Sequence, residues 1–151
     1  MFRSDSSEVF LVSDFNLLRH LETSIPQEIY ELGTKMGVDR YTVLSTVKSI
    51  LNYVEDRRID SFIFRTSPGY KNYYHAMYDK YFHSPAITRA LKNNTFGNDL
   101  TLENYMNRII NFTNKESDLD ALPDLRKIYR RIFTSVKHLD DMDGAFNVAC
   151  D

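Results

Sequence analysis

Cysteine and tryptophan are among the scarcest residues in this chain: its 151 residues include one cysteine, Cys150, and no tryptophan. A single thiol forms no internal disulfide, so nothing covalent staples the fold, which points to a reduced, cytoplasmic compartment. Long apolar runs are missing as well. The stretch near the N-terminus, Val9 to Val12, is far shorter than the roughly eighteen residues of a membrane span, and the basic-then-apolar pattern of an export signal is lacking. The expectation is a soluble protein with no membrane partner. Excess charge of one sign is lacking too. A formal net charge of −2 with a pI near 6.1 argues against a protein whose whole surface binds nucleic acid and leaves room for a local basic patch.

Catalytic signatures are also missing. There is no GxSxG, P-loop, GxGxxG or CxxC, and spacing sets no carboxylate pair apart. The expectation is therefore a protein that is not an enzyme and needs no cofactor. His75, Asp79 and His83 follow an i, i+4, i+8 spacing, but the outer two lie about 12 Å apart along a helix axis, too far to share one ion. Asp140 to Gly144 fails as a calcium loop, because aligning its glycine puts Leu139 at the first ligand position. No metal is expected.

The length suits one domain, residues 1–151. Ten tyrosines stand out, and with plentiful asparagine they hint at an AT-rich genome, such as that of a phage or large DNA virus. Helical spacing makes most of these tyrosines core or interface residues.

Along the chain, apolar periodicity is mostly helical. Phe15, Leu18 and Leu21 form a stripe behind Ser13 as N-cap. Ser24 offers a second cap to a helix with Ile29, Leu32 and Met36 on its inner face, stopped by Gly37. Asp39 caps a third, in which Val43, Leu44, Val47, Ile50, Leu51 and Val54 mark about four amphipathic turns. Glu55 to Arg58 reads as a charged break. Residues 59–74 then allow either a short β-hairpin or a strand-like loop leading into a helix over 72–82.

Beyond this, Ser84-Pro85 and Thr101 open two further helices. The second of these should bury Leu102, Tyr105, Met106, Ile109 and Ile110. Residues 114–120 read as a polar loop. Pro123 opens a last long helix whose apolar stripe runs from Leu125 to Leu139, and Arg126, Lys127, Arg130, Arg131 and Lys137 form its solvated face. Residues 143–151 read as a mobile tail. The fold class is mainly α, a multi-helix bundle with an N-terminal corner (8–71), room for one β-hairpin, and a helical part (72–142) suited to oligomerisation.

Over residues 29–48 the chain resembles the helix-turn-helix family of DNA-binding domains. Gly33 matches the small residue of the first helix, Gly37 the turn glycine four residues later, and Val43 the branched residue six further on. Leu32, Met36 and Val38 fill the flanking apolar positions. Thr46 departs from the pattern where an apolar residue is usual, and Leu44 stands where a groove-facing polar residue is usual.

The resemblance implies a second helix that enters the major groove of duplex DNA. Arg40, Tyr41, Ser45 and Lys48 would face the groove. Arg57, Arg58, Arg65 and Lys71 would touch phosphates, with a hairpin there as a wing. Glu28, Glu31, Asp39, Glu55 and Asp56 oppose these cations, so strong binding would call for a homo-dimer or higher oligomer. The expected function is a small DNA-binding regulator or packaging-type protein of phage or viral type. The alternative is a helical factor that binds a host protein and no nucleic acid.

Overall fold

The computed structural model describes residues 19–81, 83–93 and 97–151. Ser13, Phe15 and Leu18, which carry the first expected helix, lie outside them. Among the described residues the chain is mainly α and multi-helical, with no strand. No helix among them is long and apolar enough to cross a membrane. The contacts cluster in two compact units. One holds the described residues up to Asn52 with Ala149–Asp151; the other is Tyr53–Val148.

In the first unit residues 19–24 are helical. The Ser24 hydroxyl does not cap the next helix; it donates backward to the His20 carbonyl at 2.8 Å. Helix α1 (Gln27–Lys35) starts behind Pro26, with no side-chain cap. Its buried residues are Tyr30 and Gly33, whereas Leu32 and Met36, expected inside, are 56% and 71% exposed. The large Tyr30 ring sets this orientation, since its hydroxyl also secures a partner, the Glu22 carbonyl at 2.8 Å.

The end of α1 follows the sequence closely. Gly37 sits at φ +74°, its N–H bonds the Thr34 carbonyl, and the Val38 N–H bonds the Gly33 carbonyl at 2.7 Å. This is the two-bond Schellman stop, for which glycine is the preferred pivot. Asp39 then caps helix α2 (Arg40–Thr66) as expected, its Oδ1 accepting the Thr42 N–H at 3.2 Å.

Helix α2 corrects the reading of residues 55–66. Neither a break nor a hairpin interrupts it, and the helix runs 27 residues. Val43, Val47 and Val54 are buried and Ile50 half-buried; the same three-four spacing continues through Arg57, which is buried, to Ser61 and Phe64, which are half-buried. A charged residue inside the stripe hides the helical period from an apolar count.

In the second unit a 3-10 turn (Pro68–Tyr70) leads into α3 (Lys71–Tyr81), close to the helix expected over 72–82. Helices α4 (Pro85–Lys92) and α5 (Leu102–Ile109) carry the expected caps, with Ser84 accepting from the Ile87 N–H and Thr101 from the Asn104 N–H. In α5, Ile109 is buried, but Leu102 and the C-cap residue Ile110 are exposed, and Arg108 is buried instead. Its Nη2 donates to the Gly97 carbonyl and to Asn98 Oδ1, at 2.8 and 3.2 Å. Hydrogen bonds at the guanidinium tip let the aliphatic part of the side chain pack inside.

Helix α6 (Leu125–Ser135) ends earlier than its stripe suggests, although Val136 remains buried. Phe112, Tyr129 and Phe133 pack together, with Tyr129 and Phe133 stacked at 4.5 Å. The expected tail is a helix instead, α7 (Met142–Cys150). Asp141 Oδ1 accepts the Gly144 N–H at 2.9 Å, and Ala145, Val148 and Ala149 are buried. Burial of these side chains fixes a segment that composition alone reads as loose. Cys150 is half-buried, and burial raises its thiol pKa.

Candidate functional site

The corner between α1 and α2 is built around Gly33. A Cβ there would lie 2.6 Å from Val43 Cγ2 and 3.8 Å from Val38 Cβ, so the absent side chain is what lets the two helices approach. Both departures from the helix-turn-helix pattern are accommodated. Leu44 is buried, not groove-facing. The Thr46 hydroxyl donates to the Thr42 carbonyl at 2.7 Å, which satisfies it within the helix.

Four of the nominated residues lie on the first turns of α2. Tyr41, at 73% exposed, and exposed Ser45 share a face with half-buried Lys48, following i, i+4, i+7. The Ser45 hydroxyl donates to the Thr42 carbonyl at 3.3 Å. Arg40 is already engaged: its Nε donates to Glu22 Oε1 at 3.1 Å and its guanidinium carbon stands 3.9 Å over the Tyr30 ring. Burial raises the Tyr30 pKa, and the Arg40 charge works against that rise.

The other four belong to the second unit. Arg65 and Lys71 are exposed, with Arg65 Nη1 donating to the Lys137 carbonyl at 3.5 Å. Arg58 gives Nε and Nη2 to the Glu55 carboxylate, at 2.8 and 2.5 Å. Without a hairpin there is no wing to carry them.

Arg57 is the least accessible of the eight. It is 8% exposed and cannot reach a phosphate on the surface. Its Nη2 lies 3.0 Å from Asp60 Oδ2 and also donates to the Tyr78 hydroxyl, which in turn donates to Asp60. All three residues are buried. Desolvation, reinforced by the bond to Asp60, pushes the Tyr78 pKa well above that of an ordinary phenol. Tyr53 packs its ring 5.1 Å from the same guanidinium, and burial lifts its pKa to about 12, with the Arg57 charge opposing. The Tyr53 hydroxyl and Arg57 Nε have no hydrogen-bond partner among the described residues.

A buried opposite-charge pair at i, i+3, in register with the apolar stripe of α2, was the sequence signal for this network. Arg126 gives Nε and Nη2 to the Asp120 carboxylate, at 2.9 and 2.5 Å, and holds that carboxyl below its usual range. His83 bonds Asp79 at 3.0 Å, while His75 stacks on Phe64. No protein-family model, no curated protein and no solved structure matches this chain.

Proposed function

We propose that the protein is a helical interaction factor, not an enzyme, and that its N-terminal corner binds another protein. The observation that carries this reading is the exposure of Leu32 on α1 and of Met36, one turn later at its C-cap, together with Tyr41. Aromatic residues, methionine and arginine are what protein interfaces concentrate at their centres. The neighbouring charges have both signs, Glu28 and Glu31 against Lys35 and Arg40, and Arg40 is held by Glu22. Charges of both signs allow opposite charges to pair across a two-fold axis, so the occupant proposed is a second copy of the chain. In the heterologous form of the reading, a host protein takes that place.

Sedimentation equilibrium across a range of concentrations tests this. Self-association in the wild type, lost in Leu32→Asp and Met36→Asp with helicity retained, supports it. A strict monomer removes the self-pairing form.

Duplex DNA is the second reading, favoured by the close Gly33–Val43 crossing and the shared face of Tyr41, Ser45 and Lys48. It ranks second because Arg40, Arg57 and Arg58 are paired with carboxylates, and affinity for DNA rests on neutralising several phosphates. A salt titration of binding to duplex DNA separates the two. Binding that falls steeply with salt and is lost in Arg40→Ala with Lys48→Ala would restore it to first place.

A further inference from the structure

A cleft of about 710 Å3 opens in the second unit, lined by residues of α2, α3 and α6 and their neighbours. Its size falls in the roughly 300–1,000 Å3 range of small-molecule sites. The buried Arg57–Asp60–Tyr78 network lines it, as do the aromatic rings of Phe64, Tyr129 and Phe133. Two exposed cations, Arg65 and Lys137, line it as well. Neither forms an ion pair with a carboxylate among the described residues.

The charge balance of the lining is one-sided. Asp60 is its single carboxylate, and Arg57 and Tyr78 already occupy it. Arg65 and Lys137 therefore leave the cleft net positive, before any protonation of the lining histidines, His75 and His83. Arg57 Nε–H is buried with no hydrogen-bond partner among the described residues, so Asp60 and Tyr78 do not fully satisfy its guanidinium. A cation would be repelled here, and a purely apolar guest would leave these donors bare. An inorganic ion would fill little of the space and ignore the rings.

We propose that this cleft binds a small organic anion, a carboxylate or a phosphate monoester attached to a flat apolar body. The head accepts from the arginine and lysine side chains, and the body stacks against the ring wall. Arginine suits such a head because its planar donors match carboxylate and phosphate oxygens. The site stands on its own and does not depend on what the N-terminal corner binds.

The test compares three probes on the full chain by calorimetry and by amide shifts in two-dimensional NMR: 2-naphthoate, 2-naphthyl phosphate and the uncharged 2-naphthamide. The expected result is saturable binding of at least one anion, with the amide at least about tenfold weaker, as loss of a charge-assisted contact implies. The tighter of the two anions identifies the head group. Arg65→Gln and Lys137→Gln change exposed residues outside the buried network, so both should fold. Each should weaken anion binding about five- to tenfold and leave the amide unchanged. Amide binding as tight as that of the anions overturns the proposal, as does the absence of saturable binding by any probe into the millimolar range. Anion binding indifferent to both variants overturns it too.

Discussion

Gly33 and Val43 are a matched pair: the hydrogen on one leaves the space that a methyl of the other occupies, 2.6 Å from where a Cβ would stand. Gly33→Ala would ordinarily gain about 0.5–1 kcal/mol inside a helix. Here it meets a buried valine whose χ1 is stiff in a helix, so overpacking of about 1–3 kcal/mol should win. Urea unfolding should show a net loss of stability in Gly33→Ala. Adding Val43→Ala should recover part of that loss, giving a favourable coupling in the double-mutant cycle.

The turn beside that pair makes a separate claim. Gly37 holds φ +74° with nothing within 4 Å of a Cβ position, so Gly37→Ala should cost about 1–2 kcal/mol through backbone conformation alone. Asp39→Ala, which removes the acceptor for the Thr42 N–H, should cost about 0.5–2 kcal/mol. Unfolding midpoints that stay at the wild-type value in both variants would show that the corner does not stop and restart as described.

The network around Arg57 should respond asymmetrically. Asp60→Asn strands a buried guanidinium and should cost about 3–5 kcal/mol. Tyr78→Phe, which keeps the ion pair, should cost less, about 1.5–3 kcal/mol for hydrogen bonds to charged groups. Replacing both charges, Arg57→Met with Asp60→Leu, should recover much of the loss, because a packed apolar pair avoids the desolvation of two ions. Equal losses from Asp60→Asn and the double replacement would contradict this.

Tyr53 supplies a pH dependence. Its folded pKa of about 12 stands above the 10.0 of an ordinary tyrosine. Between these values the unfolded chain releases the phenolic proton while the folded chain retains it. Stability is thus complete below pH 10 and declines as pH rises through that window, by about 1.4 kcal/mol per pH unit at most. Tyr53→Phe should flatten the decline in denaturant midpoints. Near neutral pH it should cost little, because the hydroxyl it removes is buried with no hydrogen-bond partner among the described residues.

These sites also mark where the sequence was transparent and where it was not. Ser84, Thr101, Asp39 and Gly37 act within a few residues of themselves, through caps and turns, so their roles were readable locally. Ser24 failed because its hydroxyl could bond forward or backward, and only the preceding helix decided. The period of Leu32 and Met36 fits the inside, but that of Tyr30 and Gly33 fits it equally, and these two are the buried residues. The second half of α2 was obscured by Arg57 and Asp60, buried charges that satisfy each other and break the apolar pattern. The last helix was missed because Ala145, Val148 and Ala149 are small, although Asp141 stands where its cap would be.

Cys150 turns that last helix into a clock. Its thiol is half-buried with a raised pKa, and thiol reagents attack the thiolate. Alkylation of the native protein should therefore be slower than that of the unfolded chain, at a rate set by how often the end of α7 opens. Because the sequence holds a single cysteine, the bulk labelling rate reports that one opening with no competing signal.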